Sequence, residues 1–304
     1  MTTATNTDNL DAPVLYATDG SIATITLNRP AYANAQNSPM TYALDDAFYR
    51  AAADDAVAVI ILRGAGRHFS AGHDIGSPDR ALDRVFDRRA GLWPTHVGKS
   101  GAEARFVRES EVYLGMCRRW RELPKPVIAQ VHGACVSGAL MLAWVCDFII
   151  ASEDAFFADP VVRMGIPGVE YFAHPWVMGA RRAKEFLFLG ERIGAREAER
   201  IGMVNHVVPR DELGDFVKSI AHRIAEMPTF GLALAKKAVN QSEDQMGLAA
   251  GMDSVFGLHQ LAHSHSAEVW NDAVGGQTAH SMRSALRSDA SEPSPTSTST
   301  TASN

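Results

Sequence analysis

Two continuous apolar segments, each followed at once by a glycine-containing loop, constrain the fold of this 304-residue chain most strongly. Residues 57–62 lead into Gly64-Ala65-Gly66, and residues 126–131 lead into His132-Gly133. Uninterrupted apolar runs of this length are typical of strands that are buried on both faces, as in parallel sheets covered by helices. The pattern therefore predicts an α/β core whose strand-end loops can carry function.

The hydrophobic pattern of the rest of the chain predicts further strands and helices of this core and a helical C-terminal region. Further strands are predicted at residues 22–27, 148–151 and 204–208. Ser38 and Pro39 predict a helix start, with Ser38 as the N-cap and proline at the first helical position. One later helix is predicted from an apolar stripe whose members are separated by four, four and three residues, namely Phe216, Ile220, Ile224 and Met227. Two more helices are predicted at residues 229–240 and 254–268.

These elements predict four regions along the chain. Residues 1–12 are polar and without pattern, residues 13–210 form the α/β core, and residues 211–286 form a helical region. Residues 287–304 are a Ser/Thr/Pro tail with little to bury, so we predict that they are disordered. Within the core, the Arg-, Asp- and Gly-rich segment at residues 76–101 has the composition of a lid or binding loop.

Charge and cysteine content narrow the function. The net charge is −6, and this acidic balance argues against a general nucleic-acid or anionic-membrane binder. No signal peptide or membrane span is predicted, so we expect a cytoplasmic protein. The three cysteines lack metal-ligand spacing and are interpreted as buried structural thiols of a reducing compartment. We expect no metal site.

Two loops after buried strands carry the strongest functional signal. The first is FSAGHD at residues 69–74, and the second is HGACVSGAL at residues 132–140. Their glycines allow close backbone approach to a ligand. Gly138 stands just before an apolar helix, where unsatisfied N–H groups favour negative charge.

FSAGHDI and HGACVSGALMLAWVCDFIIAS resemble the two signature segments of the enoyl-CoA hydratase/isomerase (crotonase) family. Further similar segments, including LNRP, ADPVVRMGIPG and PTFGLALAKKAVNQ, extend the resemblance over residues 15–268. The resemblance implies a spiral of ββα units with a C-terminal helical region that contributes to oligomerisation and covers the active site. It implies an acyl-CoA substrate, no separate cofactor because coenzyme A belongs to the substrate, and a homotrimer or homohexamer.

The resemblance also implies an oxyanion hole formed by the backbone N–H groups of His73 and Gly138. Two fixed donors stabilise the negative charge that develops on a thioester carbonyl oxygen when an enolate forms. Around them the resemblance places substrate-binding residues in both loops and after the next strand; these are Ala71, Gly72, Asp74, Ile75, Ser137 and Tyr171. Asp74 has a second interpretation, as a brace of its loop.

The chain departs from the family pattern at the two usual catalytic glutamates, whose positions hold Met141 and Val161. Neither side chain transfers a proton. Glu170 is the candidate that replaces the usual glutamates, as acid/base or nucleophile. It has a second interpretation, as a glutamate that is stabilised by the dipole at a helix start and has no catalytic role. Asp159 is a further candidate. The imidazole of His73 either hydrogen-bonds a carboxylate or water or only packs.

Enoyl-CoA hydratase, a lyase of fatty acid metabolism, is the leading activity. Decarboxylation, isomerisation and thioester hydrolysis need the same oxyanion stabilisation and stay open. A catalytically silent acyl-CoA-binding subunit is another class of function. A serine hydrolase built from Ser137, His132 and Asp147 is the weakest alternative, because the sequence lacks the GxSxG elbow.

Overall fold

The computed structural model describes residues 11–76 and 95–273. Nine strands in two sheets form its centre. The bounds of the strands are β1 Val14–Asp19, β2 Ile22–Leu27, β3 Val59–Gly64, β4 Val127–Val131, β5 Ala134–Val136, β6 Phe148–Ser152, β7 Phe156–Ala158, β8 Ile193–Gly194 and β9 His206–Val208. The strands expected from sequence lie within two residues of β2, β3, β4, β6 and β9. The architecture is the α/β spiral with C-terminal helices that the motifs predict.

The larger sheet has the strand order β1-β2-β3-β4-β6-β9. Only the β1–β2 pair is antiparallel, and the other four pairs are parallel. Parallel neighbours need crossover connections, which helices supply. Because β3 and β4 are adjacent and parallel, the loops that follow them leave the sheet at the same edge. This edge carries both sequence motifs.

A second sheet was not predicted from the sequence, because its strands are two or three residues long and show no periodicity. Its order is β5-β7-β8, with β5 parallel and β8 antiparallel to β7. The β5 strand begins one residue after Gly133 and ends just before Ser137. The second motif therefore contains a strand that anchors the functional loop.

The helices occupy the connections and the C-terminal region. Their bounds are α1 Ser38–Ala53, α2 Gly101–Glu109, α3 Met116–Arg121, α4 Gly138–Trp144, α5 His174–Met178, α6 Ala180–Leu189, α7 Ala195–Arg200, α8 Leu213–Ala225, α9 Thr229–Gln245 and α10 Leu248–Trp270. Short 3-10 helices span Pro30–Tyr32 and Pro160–Met164. A π-helical turn, Ser110–Gly115, joins α2 to α3.

The start of α1 corrects one prediction. Asn37, not Ser38, is the N-cap, since its side-chain Oδ1 accepts a hydrogen bond from Met40 N at 3.1 Å. Ser38 is the first helical residue, and its Oγ instead accepts a hydrogen bond from the Arg108 guanidinium. Both serine and asparagine are good caps, so the sequence pattern does not distinguish these adjacent positions.

The buried strand β3 separates two apolar layers, which explains why its sequence is apolar at consecutive positions. Ile60 and Leu62 face the main core, whereas Val59 and Ile61 face the opposite side. On that opposite side α8 covers the sheet with Val217 and its neighbours. Most of the predicted stripe packs there, namely Phe216, Ile220 and Ile224. Met227 does not: it lies beyond the end of α8 and is exposed.

No helix among residues 11–76 and 95–273 is long and apolar enough to cross a membrane. Most of the predicted lid segment, and all of the Ser/Thr/Pro tail, lie outside the described residues. Cys117 and Cys135 are buried free thiols, as the sequence predicted, and burial raises the pKa of both. Cys146 is partly buried.

Candidate active site

The first loop follows β3 and is fixed by backbone hydrogen bonds to the segment before α1. Gln36 N donates to Gly72 O at 2.8 Å, and Asp74 N donates to Gln36 O at 3.0 Å. His73 lies between these two bonded residues in a parallel bridge. Gln36 thus bonds to the carbonyl of Gly72 and to the N–H of Asp74, the residues on either side of His73. In a parallel bridge of this kind, the N–H of His73 is directed away from Gln36.

The second loop lies directly against the first. Ser70 N donates to Ala134 O at 3.1 Å, and Val136 N donates to Ser70 O at 3.2 Å. Two residues further along, Gly72 has a φ of +89°, and a Cβ at this position would lie 2.9 Å from Gly138 N and 2.6 Å from Val136 O. The absence of a side chain at Gly72 therefore lets the two loops converge at Gly138.

Two backbone donors become available where the loops meet. Gly138 is the first residue of α4, so its N–H has no partner within the helix. Ser137 before it takes a φ of 50° and a ψ of −120°, and donates its own N–H to Ala158 O at 2.8 Å. Within the described residues, no hydrogen-bond acceptor is assigned to the N–H of His73 or of Gly138.

The imidazole of His73 lies across Gly138 and reaches Glu170. A Cβ at position 138 would lie 2.6 Å from His73 Cε1, so only glycine fits beside this ring. His73 Nε2 is 3.0 Å from Glu170 Oε2. The side chain of Glu170 is 4% exposed and that of His73 is 19% exposed, so the carboxylate is the deeper partner. His73 Nδ1 is buried with no hydrogen-bond partner among the described residues.

Tyr113 holds the other face of this imidazole. The two rings stack with centroids 3.8 Å apart at an interplanar angle of 25°. Tyr113 lies on the π-helical turn between α2 and α3, a rare local geometry that is frequent at functional sites. The Arg108 guanidinium lies over the opposite side of Tyr113 and contacts its hydroxyl at 3.4 Å. The imidazole is thus fixed by glycine, carboxylate and phenol ring together.

The electrostatics keep Glu170 ionised. Burial raises its pKa, but the adjacent His73 and His259 imidazoles outweigh burial and hold the pKa well below its usual range. His259 Nε2, on α10, is 3.6 Å from Glu170 Oε1. A buried carboxylate in this setting can accept a hydrogen bond from His73 Nε2–H and stabilise an imidazolium.

Tyr113, Arg108, Glu109 and His259 were not predicted from the sequence. They come from α2, the π turn and α10, and none belongs to a motif with a distinctive spacing. One usable signal was present: His259 and His263 are four residues apart and therefore share a face of α10.

The other residues that the sequence predicted for the site have different surroundings. Asp74 forms an ion pair with Arg29 at 2.9 Å, which favours its interpretation as a loop brace. Ala71 donates its N–H to Ala33 O, and Ile75 is partly exposed beside the loop. Ser137 belongs to the second loop and directly precedes Gly138.

Tyr171 and Asp159 contact other side chains than His73 among the described residues. The buried Tyr171 side chain lines a cavity of about 250 Å³ with Arg121, Trp144 and Trp176, none of which contributes to the His73 centre. Asp159 Oδ2 is 2.9 Å from His174 Nε2, and both side chains are fully buried. His174 begins α5 as a packed residue.

The serine-hydrolase alternative does not fit the observed partners. His132 Nε2 hydrogen-bonds to Gly66 O at 3.0 Å. Asp147 accepts from Val127 N and pairs with Lys236 Nζ at 2.9 Å. Each polar group is therefore engaged away from Ser137.

The two positions at which the family resemblance implies catalytic glutamates hold apolar residues in apolar surroundings. Met141 is buried within α4 as part of the main core. Val161 lies in the Pro160–Met164 helix and packs against Met164 and Ile166. Neither place has a carboxylate, whereas Glu170 supplies one 3.0 Å from the His73 imidazole that lies on Gly138.

An α/β spiral with two sheets, in which the loops after β3 and β4 meet at Gly72 and Gly138, defines the fold class of this protein. The family model for enoyl-CoA hydratase/isomerase matches residues 17–88 and 99–269. The chain belongs to this family, the crotonases, and is an enzyme of the enoyl-CoA hydratase group within it.

Close relatives agree with this assignment. EchA13 of Mycobacterium tuberculosis, which carries an enoyl-CoA hydratase name, is 48% identical over 265 residues, covering 86% of this chain and 82% of the relative. A crystal structure from Mycobacterium smegmatis, also named for enoyl-CoA hydratase, has a TM-score of 0.77 at 48% identity and covers 86% of this chain and 98% of the other. An enoyl-CoA hydratase/isomerase from Xanthobacter autotrophicus has a TM-score of 0.73 at 31% identity, covering 93% and 99%.

Proposed function

We propose that the chain binds an acyl-CoA thioester with its carbonyl oxygen between the N–H groups of His73 and Gly138. Both donors are fixed by the backbone before substrate arrives, so they need no reorganisation when charge develops on that oxygen. The support is the convergence of Gly72 and Gly138 across the two loops. Losing one such donor typically lowers the rate by about 10²–10³.

The contact between His73 and Glu170 beside Gly138 is the observation that carries the catalytic proposal. Ionised Glu170 accepts a hydrogen bond from His73 Nε2–H, which leaves a lone pair on Nδ1. That nitrogen has no partner among the described residues and lies on the Gly138 side. His73 is therefore the group that transfers the proton, and Glu170 orients it and stabilises its charged form.

The reaction that this arrangement supports best is hydration of a 2-enoyl-CoA. His73 Nδ1 accepts a proton from water as the water oxygen attacks the β carbon. The enolate oxygen is held by the two N–H groups, and the imidazolium then returns a proton to the α carbon. The product is a 3-hydroxyacyl-CoA, and the imidazole ends neutral. One acid/base pair thus replaces the two usual glutamates.

Isomerisation is the second candidate, because it needs only proton removal and return around the same enolate. One structural relative carries both names. Decarboxylation, thioester hydrolysis and a silent binding subunit are outcomes that the same assay distinguishes. Each would leave a different product, or none.

The test incubates the purified full chain with 2-enoyl-, 3-enoyl- and malonyl-type acyl-CoAs and identifies products by mass spectrometry. We expect addition of water to a 2-enoyl-CoA by the wild-type chain and its loss in His73→Asn, which keeps the backbone N–H. Turnover in His73→Asn equal to wild type would reject the proposed role of the imidazole. Binding of every acyl-CoA without any product would instead identify a silent subunit.

We also propose self-association as a homotrimer or homohexamer. Several large apolar side chains of the C-terminal helices are exposed in the single chain, including Phe230, Leu234, Val239, Leu258 and Leu261. Exposed apolar surface of this kind favours burial against another copy. Sedimentation of the purified chain would measure the assembly directly.

A further inference from the structure

A buried cluster of His259, His263 and Glu109 lies behind Glu170, on the side away from the loop junction. The two histidines are one turn apart on α10, and Glu109 is the last residue of α2. His259 Nε2 and His263 Nε2 are 3.0 Å apart. Glu109 Oε2 is 3.9 Å from each of these nitrogens. Three ligand-type atoms therefore face one point.

The outer nitrogens of both rings fix their tautomers. His259 Nδ1 is 2.9 Å from Gly168 O, and His263 Nδ1 is 2.6 Å from Ala273 O. A carbonyl oxygen only accepts hydrogen bonds, so both Nδ1 atoms carry protons. In the neutral rings both Nε2 atoms then carry lone pairs, and these lone pairs face each other at 3.0 Å. Such an arrangement is repulsive unless a proton or a metal cation lies between the two nitrogens.

The geometry of the three atoms fits one metal ion. A point in the plane of His259 Nε2, His263 Nε2 and Glu109 Oε2 lies about 2.1 Å from each atom. A tetrahedral ion at the same bond length requires the three atoms to shift by roughly half an ångström. Zinc–nitrogen and zinc–carboxylate bonds are about 2.0–2.2 Å long. The hydrogen bonds from both Nδ1–H groups to carbonyls are the usual support of metal-binding histidines. Gln260 Nε2 donates to Glu109 Oε2 at 2.6 Å and holds the carboxylate in place.

We propose that His259, His263 and Glu109 bind one divalent transition-metal ion of the zinc type. Imidazole and carboxylate ligands together suit this class of ion rather than calcium or magnesium. Glu170 Oε1 lies 3.6 Å from His259 Nε2, beside the cluster, and is not one of the three proposed ligands. The site is independent of which acyl-CoA reaction the chain catalyses.

The ion would join two segments that are far apart in sequence. It ties α10 to the end of α2, immediately before the π turn that carries Tyr113. Tyr113 stacks on His73, so the metal would fix one wall of the active site. The spacing of four between His259 and His263 was the one sequence signal for this site, and it does not identify Glu109, which lies 150 residues before His259.

Metal binding is measured on the full chain after cleavage of any affinity tag and treatment with a chelator. We expect titration calorimetry to show one Zn²⁺ bound per chain, and Co²⁺ to give the intense visible bands of a four-coordinate site. His263→Gln and Glu109→Gln should each weaken Zn²⁺ binding by at least about 100-fold. His265→Gln, an exposed histidine on the same helix, should bind like the wild type.

Folding is monitored in the same samples. Zn²⁺ should raise the melting temperature of wild type and His265→Gln but not that of His263→Gln, since only the folded site binds the ion. Wild-type affinity weaker than about 1 mM would overturn the proposal and leave the two histidines sharing a proton. Unchanged binding in a folded His263→Gln chain would overturn it as well.

Discussion

The two sides of the candidate active site are built differently. On one side, two backbone N–H groups come from loops that follow the adjacent strands β3 and β4. On the other side, the side chains of His73, Glu170 and Tyr113 come from the first loop, the segment before α5 and the π turn. The backbone side depends on glycines and strand order, whereas the side-chain side depends on long-range packing. Changes to the two sides should therefore have different signatures.

The largest effect is expected for Gly138→Ala, which disturbs both sides at once. The new Cβ would lie 2.6 Å from the His73 ring, so the imidazole and the adjacent N–H must move. We expect turnover to fall by at least about 10³. Steady-state kinetics measures this, with Gly214→Ala as the control because a Cβ there meets nothing within 4 Å. Equal turnover in the two variants would contradict the packing of His73 on Gly138.

His73→Asn tests the side-chain side alone, because the backbone N–H at position 73 is retained. We expect kcat to fall by about 10²–10³ through loss of proton transfer, while KM changes little. Stopped-flow binding of a non-reactive acyl-CoA provides the control for the oxyanion hole. A large loss of binding with normal kcat would reverse the assignment of the two sides.

Glu170→Gln keeps the shape of the carboxylate but removes its charge. We expect turnover to fall by about 10² while acyl-CoA binding is retained. Because Glu170 acts through His73, the double variant with His73→Asn should be little worse than His73→Asn alone. Additive losses in kcat would show that the carboxylate acts on substrate independently of the imidazole.

Tyr113 offers a smaller and graded test of the same side. Tyr113→Phe retains the ring that stacks on His73, whereas Tyr113→Leu removes it. We expect Tyr113→Phe to stay close to wild type and Tyr113→Leu to lose about tenfold in kcat, as the imidazole becomes less well fixed. Similar losses in both variants would assign the effect to the hydroxyl and its contact with Arg108.

The smallest expected effect is a pH dependence of the melting temperature that comes from the backbone side. Burial lowers the pKa of His68, with help from Arg67 and Arg210, and lowers the pKa of His132, with help from Arg210. The two side chains bond across the starts of the two loops. Their folded pKa values are below the unfolded value of about 6.5, so the stability present above that pH is lost as pH falls. Calorimetric melting temperatures should decrease from about pH 7 to about pH 5, and less so in His132→Asn. An unchanged pH dependence in that variant would exclude His132.

The sequence predicted the backbone side because its information is local. Glycines after apolar runs identify strand-end loops, and the strands β2, β3, β4, β6 and β9 were each recognisable from six or fewer residues. The same information placed Gly138 at the start of a helix. The second sheet escaped prediction because strands such as β8, with two residues, carry no period.

The side-chain side was predictable only in part. The resemblance and the missing glutamates drew attention to Glu170 and His73, but nothing in the sequence placed their side chains 3.0 Å apart. Tyr171 illustrates the limit: it adjoins Glu170 in sequence, yet it lines a different cavity. Tyr113 and His259 reach the site through the packing of α2 and α10, which a single sequence does not specify.

A crystal structure with a non-reactive acyl-CoA analogue tests the central claim most directly. We expect the thioester carbonyl oxygen within about 2.7–3.1 Å of both His73 N and Gly138 N, with His73 Nδ1 facing the α and β carbons. A carbonyl oxygen bound elsewhere, or in contact with only one of these two nitrogens, would contradict the proposed oxyanion hole.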